Sequence, residues 1–194
     1  METSNHKSIR QLQKQERRDR RKVKIQRDIL RYGSEILDSD EMQEAFKQKH
    51  HTLSTVGEHS LRVARTSLAI CYALRKLRVP TDIPAVVAGS LCHDLGILGR
   101  NEKYDSNKEC SRLHPGDSVE VAQKLVNDLP EKTTDIISRH MWPAGQSKPP
   151  NSLEATIVSA ADKIAAVGDF VKGYEEKRPG IKGVIQELAD RKKK

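Results

Sequence analysis

The sequence predicts an all-α protein, a bundle of five or six core helices with a basic helical extension at each end. Three observations carry this. No segment alternates apolar and polar residues over five or six positions, and aromatics are only 4% of the 194 residues, so strand signals are scarce. Apolar residues recur instead at helical spacing along the body. Helix start and stop signals flank these periodic stretches.

The elements follow in order. Residues 8–32 carry Ile9, Leu12, Val23, Ile25, Ile29 and Leu30 among charges. They read as a weakly amphipathic, very basic helix, frayed at its start and interrupted by Gly33. Ser39 reads as the N-cap of a short helix from Asp40 to Lys47, with two acids in its first turn. Thr55 and Glu58 form a capping box ahead of a helix reaching about Leu77. Pro80 and Pro84 bracket a turn. Ala85 to Leu95 is nearly all apolar, so this helix belongs at the centre of the fold. A polar loop is expected over 99–113, followed by helices at about 117–128, 131–141 and 152–170. A rigid Pro-rich loop, PAGQSKPP, separates the last two. Pro179-Gly180 opens a short basic terminal helix.

The length suits one domain plus extensions. Charge divides the chain in the same way. Residues 1–33 hold 11 Lys/Arg against 4 Asp/Glu, residues 172–194 hold 8 against 4, and the middle holds 16 against 19. The basic character belongs to the ends, and the body is mildly acidic. The expected organisation is an N-terminal arm over 1–38, a domain over 39–172 and a basic C-terminal helix and tail over 173–194. No run approaches the roughly 18 apolar residues of a membrane span, and the N-terminus lacks the apolar stretch of a secretory signal. Cys71, Cys92 and Cys110 are odd in number and lack a CxxC pair, which disfavours a disulfide framework or zinc ribbon. A cytoplasmic, reduced protein is expected, with Cys71 and Cys92 in the core and Cys110 in a loop.

The chemistry sits in the histidines and two carboxylates. A charged Asp94 in SLCHDLGIL costs several kcal/mol unless it is paired or metal-bound. Alone, His93-Asp94 also reads as a buried pair that serves packing. Asp162 repeats the pattern in IVSAADKIAAV, with Lys163 or a nearby Arg as its alternative partner. His59 alone reads as a surface histidine. Taken together, these residues on three separate helices form a His2Asp2 ligand set. Such mixed nitrogen and oxygen donors suit a divalent ion such as Mn²⁺, Fe²⁺, Co²⁺ or Mg²⁺.

The order His…His-Asp…Asp, with the stretches GEHSLRVA, LCHDLGI, HPGDSVEVA, ISRHMWP and IVSAADKIAA, resembles the HD-domain superfamily of metal-dependent phosphohydrolases over about residues 48–172. The resemblance implies a helical bundle in which His59, His93, Asp94 and Asp162 hold a first divalent ion (Mn, Fe, Co, Ni or Mg), with Asp94 and His93 central to catalysis. Members with two metals carry histidines at the places of His114 and His140. The resemblance therefore implies a second ion with Asp94 as bridge, while a role for these two in binding substrate phosphate or donating a proton stays open. A single His at 140 and the lack of a GYP signature depart from the HD-GYP subfamily and disfavour cyclic-di-GMP hydrolysis.

Lys108, Arg112 and Arg139 are the candidate substrate-phosphate contacts, and Lys103 lies in the same loop. His50-His51 are expected at the pocket mouth in a supporting role, and Glu58 in the capping box. Trp142 is expected against the Pro-rich loop or as a stacking face for a base. The expected activity is hydrolysis of a phosphomonoester, nucleotide or nucleotide-derived phosphoanhydride. Two alternatives stay open. One is a nucleic-acid- or ribosome-associated protein using its basic arm, which lacks aromatics for base stacking and carries Glu16, Asp19 and Asp28. The other is a sensor module that keeps metal without turnover.

Overall fold

The computed structural model describes residues 8–50, 54–144 and 147–177. Among them are eight α-helices and no strand: α1 (Ile9–Leu37), α2 (Asp40–Ala45), α3 (Val56–Lys76), α4 (Ile83–Cys92), α5 (Arg100–Lys103), α6 (Asn107–Leu125), α7 (Glu131–Arg139) and α8 (Leu153–Lys177), with a 3-10 turn at Leu95–Ile97. The all-α expectation holds. The expected terminal helix after Pro179 and residue His51 lie outside the described residues. No helix among the described residues is long and apolar enough to cross a membrane.

α4 is the axis of the bundle and touches α1, α3, α6, α7 and α8. Its apolar sequence leaves no polar face, so it must be surrounded. It starts earlier than expected. Asp82 accepts a hydrogen bond from Ala85 N at 3.1 Å, and Pro84 occupies the first turn, where a missing N–H costs nothing. Leu68 on α3, Leu91 on α4 and Ile136 on α7 are fully buried, each worth about 1.5–3 kcal/mol of burial.

α1 fills most of the expected arm. It begins with a capping box in which Ser8 N donates to Gln11 at 2.9 Å and Gln11 N donates to the Ser8 hydroxyl at 3.3 Å, so residue 8 starts a defined helix. Gly33 does not interrupt it. A Cβ there would lie 2.5 Å from Leu91 Cδ1, so the glycine marks where α1 crosses α4. The first half of α1 is exposed through Val23, whereas Ile25, Ile29 and Ile36 are core residues. The second half of the expected 1–38 arm is thus packed against the bundle.

The expected polar loop over 99–113 is largely helical. Ser106 caps α6 by accepting from Glu109 N at 3.1 Å, and α6 runs through Pro115. The first turns of α6 are polar because they face solvent, so no apolar period announces them, and Pro115 reads as a start when it is internal. Cys110 consequently lies on a helix. α8 also runs further than 170, to Lys177.

Candidate metal centre

Five elements deliver the predicted donors to one pocket. The capping box of α3, in which Thr55 N donates to Glu58 Oε2 at 3.0 Å and Glu58 N donates to Thr55 Oγ1 at 3.2 Å, fixes the helix start that buries His59 one turn in. α4 stops at Cys92. His93 is its C-cap, and Asp94 has φ −112° and ψ 6°. His93-Asp94 therefore sits at a helix end instead of inside the helix, and that bend turns both side chains the same way. Gly96 O accepts from Tyr104 OH at 2.9 Å and Lys103 Nζ at 3.2 Å, and Gln48 bonds Ile97 O at 2.8 Å and Gly99 N at 2.7 Å. These bonds pin the turn that carries Asp94. α6 supplies His114, the C-cap of α7 supplies His140, and α8 supplies Asp162.

The donors converge in two groups divided by the Asp94 carboxylate. Oδ1 lies 3.3 Å from His114 Nε2 and 3.4 Å from His140 Nε2. Oδ2 lies 3.4 Å from His93 Nε2, 3.5 Å from His50 Nε2 and 3.9 Å from His59 Nε2. Asp162 Oδ1 joins the second group, 3.0 Å from His59 Nε2 and 3.7 Å from His93 Nε2. Three triads, His50/His59/Asp94, His59/His93/Asp162 and His93/Asp94/His140, have donor atoms within 4.8 Å of one another. His50, expected only at the mouth, is thus among the donors.

The backbone sets the tautomers. His93 Nδ1 lies 2.8 Å from Ser90 O, His114 Nδ1 2.7 Å from Cys110 O and His140 Nδ1 2.7 Å from Ile137 O. A carbonyl only accepts, so each Nδ1 carries a proton and each ring turns its Nε2 into the pocket. His114 Nε2 and His140 Nε2 are then 3.0 Å apart, and two lone pairs at that distance repel unless a proton or cation meets them. His93 Nε2 is buried with no hydrogen-bond partner, a costly state that a cation relieves. The donor set fits one or more divalent ions.

Charge follows the same geometry. Burial works to raise Asp94 and Asp162, but the surrounding imidazoles outweigh it, and both carboxyls are held well below the ordinary range. Burial works to lower His93, while Asp94 and Asp162 outweigh it and raise the ring to about 9. Burial lowers His140, and Asp94 offsets this only in part.

The pocket that opens onto these groups has a volume of about 520 Å3. Its cations are Arg100 and Lys163, and Asn107, Ser111, Met141 and Ala166 line it as well. Lys163 donates to His140 O and lies 3.3 Å from Asp162 Oδ2. None of the three expected phosphate contacts, Lys108, Arg112 and Arg139, lines this pocket. On α6 the wall positions are Asn107, Cys110, Ser111 and His114, and helical geometry turns Lys108 and Arg112 roughly 110° and 150° from their mean direction; both are exposed. Arg139 is held by Asp135 Oδ1 at 2.5 Å and donates to Pro149 O at 2.6 Å. Lys103 is bound to Asp117 at 2.8 Å. Arg100 carries no sequence signal as a site residue, because a loop cation has no periodic pattern, and Lys163 reads from sequence only as a partner for Asp162. Trp142 is partly exposed and is not a wall residue of the pocket.

The bundle turns imidazoles and carboxylates onto one pocket, where they could hold a metal ion. A family model described as the HD domain matches residues 56–167, which is more than half of the chain, and the chain belongs to the HD-domain family, a superfamily of metal-dependent phosphohydrolases. Comparisons with curated proteins and with solved structures gave no match. The matched segment contains His59, His93, Asp94, His114, His140 and Asp162, and it leaves out His50 and α1.

Proposed function

We propose that the pocket holds two divalent cations and that the protein hydrolyses a phosphomonoester, nucleotide or nucleotide-derived phosphoanhydride. The observation that carries the reading is the division of donors by Asp94. His59, His93, Asp162 and Oδ2 of Asp94 would hold one ion, His114, His140 and Oδ1 of Asp94 the other, so that Asp94 bridges them. A bound divalent cation supplies a water acidic enough to act as nucleophile near neutral pH. The chain's own residues do the rest. The carbonyl bonds to Nδ1 keep His93, His114 and His140 aimed, Asp94 and Asp162 stay ionised in the working range, and His93 and Asp94 act by holding the metal. Arg100 and Lys163 face the space where phosphoryl oxygens would lie and can stabilise the charge that develops there. Mn, Fe, Co, Ni and Mg are the candidate ions. The three free cysteines support a reducing, cytoplasmic setting.

The test is a phosphate-release panel with chelated protein reloaded with each metal in turn, on mononucleotides, dinucleoside polyphosphates and cyclic nucleotides. Turnover that appears only with added metal supports the reading. No turnover with any metal, at full metal occupancy, contradicts it and favours a metal-keeping sensor.

A further inference from the structure

The exposed half of α1 carries a charge pattern that the pocket chemistry does not use. Arg10, Lys14, Arg17 and Arg21 succeed one another at intervals of four, three and four residues, so they form one straight stripe along the helix. The stripe faces the end of α3, where Arg75 and Lys76 lie, and a groove of about 450 Å3 runs between the two helices. The acids of this half are sorted to the other side. Glu16 pairs with Arg20 at 2.7 Å, and Asp19 lies 3.7 Å from Lys22. Among the described residues, none of the four stripe cations makes an ion pair, and neither Arg75 nor Lys76 does. Arg21 is anchored by its bond to Ala69 O at 2.7 Å, and beyond it Lys24 sits 4.2 Å over the Tyr72 ring, so the base of the stripe is fixed to the body.

We propose that Arg10, Lys14, Arg17 and Arg21, with Arg75 and Lys76, form a binding surface for the sugar–phosphate backbone of a nucleic-acid duplex. From Arg10 to Arg21 the stripe spans about 16 Å, the axial length over which one duplex strand presents about five phosphates. A rigid row of unneutralised cations matches a rigid row of phosphates. A single strand is a poorer fit, because α1 has no aromatic residue before Tyr32 on which bases could stack. A membrane surface is a poorer fit as well. The exposed apolar residues Leu12 and Val23 lie on the opposite side, in a groove they share with Glu16 and Asp19, and an interfacial helix needs a continuous apolar face. Binding would be independent of sequence, since phosphate contacts position without reading bases. The surface is also separate from the pocket, since His59 and Arg75 are about 24 Å apart along α3.

The experiment is fluorescence anisotropy of the full chain with 20-base-pair DNA and RNA duplexes over a salt series, beside the triple variant Arg10→Ala, Lys14→Ala, Arg17→Ala. These three side chains are exposed and make no ion pair, so circular dichroism should be unchanged. The wild type should bind both duplexes with log K falling linearly in log salt, by about 0.9 for each phosphate neutralised. The variant's slope should be shallower by about 2.7, and its affinity near 0.1 M salt lower by about two orders of magnitude or more. Its turnover on a small phosphoester should match wild type, which keeps failure here distinct from failure of the hydrolase reading. Undetectable duplex binding at low salt, or equal affinity and slope in the variant, would overturn the proposal. Binding to phosphatidylserine vesicles without binding to duplex would also overturn it and assign the stripe to membranes.

Discussion

His114 and His140 bring their Nε2 atoms to 3.0 Å of each other although each ring's Nδ1 proton is committed to a backbone carbonyl. That arrangement is unfavourable without a positive charge beside it, and Asp94 Oδ1 completes the set for a cation. His114→Ala and His140→Ala should therefore each lower metal content from two ions per chain to one, leaving the ion at His59, His93, Asp94 and Asp162. Metal analysis of both variants beside wild type checks this. Full metal content with only weakened substrate binding would show that the two rings contact phosphate instead.

Gly96 is where the Asp94 turn meets α6. A Cβ there would lie 2.5 Å from His114 O and 2.5 Å from Ser118 N, and backbone cannot rotate aside as a side chain can. Gly96→Ala should push α6 outward, cost about 1–3 kcal/mol, and loosen the ion held through His114 before the other. Thermal unfolding with and without metal should show a smaller metal-dependent gain than wild type. Wild-type stability and metal content would refute this account of the turn.

Asp28 lies on the buried face of α1, where it accepts from the Tyr72 hydroxyl and from Lys24 at 3.1 Å. Burial works to raise its carboxyl, but Tyr72, Lys24 and Arg27 outweigh burial and hold it below its ordinary value. A depressed folded-state value means that the carboxylate's stabilisation is fully present above its unfolded value, about 3.9. It is lost as pH falls through the lowered folded value. Tyr72→Phe should cost about 1–3 kcal/mol at neutral pH. The gap to wild type in urea unfolding should narrow as pH is taken from 7 toward 3. A gap that stays constant over that range would show that the hydroxyl does not act through the carboxylate.

Arg100 lines the pocket and donates to His50 O at 3.3 Å. Its role in the proposed reaction is to meet phosphoryl charge. Arg100→Gln should reduce kcat/KM by about 10–100-fold, the size of a lost charge-assisted contact of about 1.5–3 kcal/mol, with metal content unchanged. Lys108→Gln, on the exposed side of α6, should leave kcat/KM within about twofold. The reverse ranking would restore the expectation drawn from sequence.

What was legible in the sequence was what local chemistry writes locally. The Thr55/Glu58 box, the Ser39 cap and the unbroken apolar run before His93 each state their structure within a few residues. The six candidate donors, on α3, α6 and α8 and just past the ends of α4 and α7, were legible because their types and order need no knowledge of packing. Contacts between distant elements were not. Gly33 reads as a break, and only the crossing of Leu91 shows why a helix passes through it. Lys108, Arg112 and Arg100 are alike as loop cations, and only the helical phase of α6 and the position of α5 separate wall from surface. His50 gains its meaning from Asp94, more than forty residues away.

The most direct test of the central claim is phosphate release by one protein sample before and after chelation and reloading, compared with Asp94→Asn, which keeps the shape of the side chain and removes the charge shared by both donor groups. The account predicts metal-dependent turnover in the wild type. For Asp94→Asn it predicts loss of at least one ion and of turnover by about 10³-fold or more, of the order seen on removing a group that stabilises developing charge. Turnover in Asp94→Asn equal to wild type at matched metal content would contradict it.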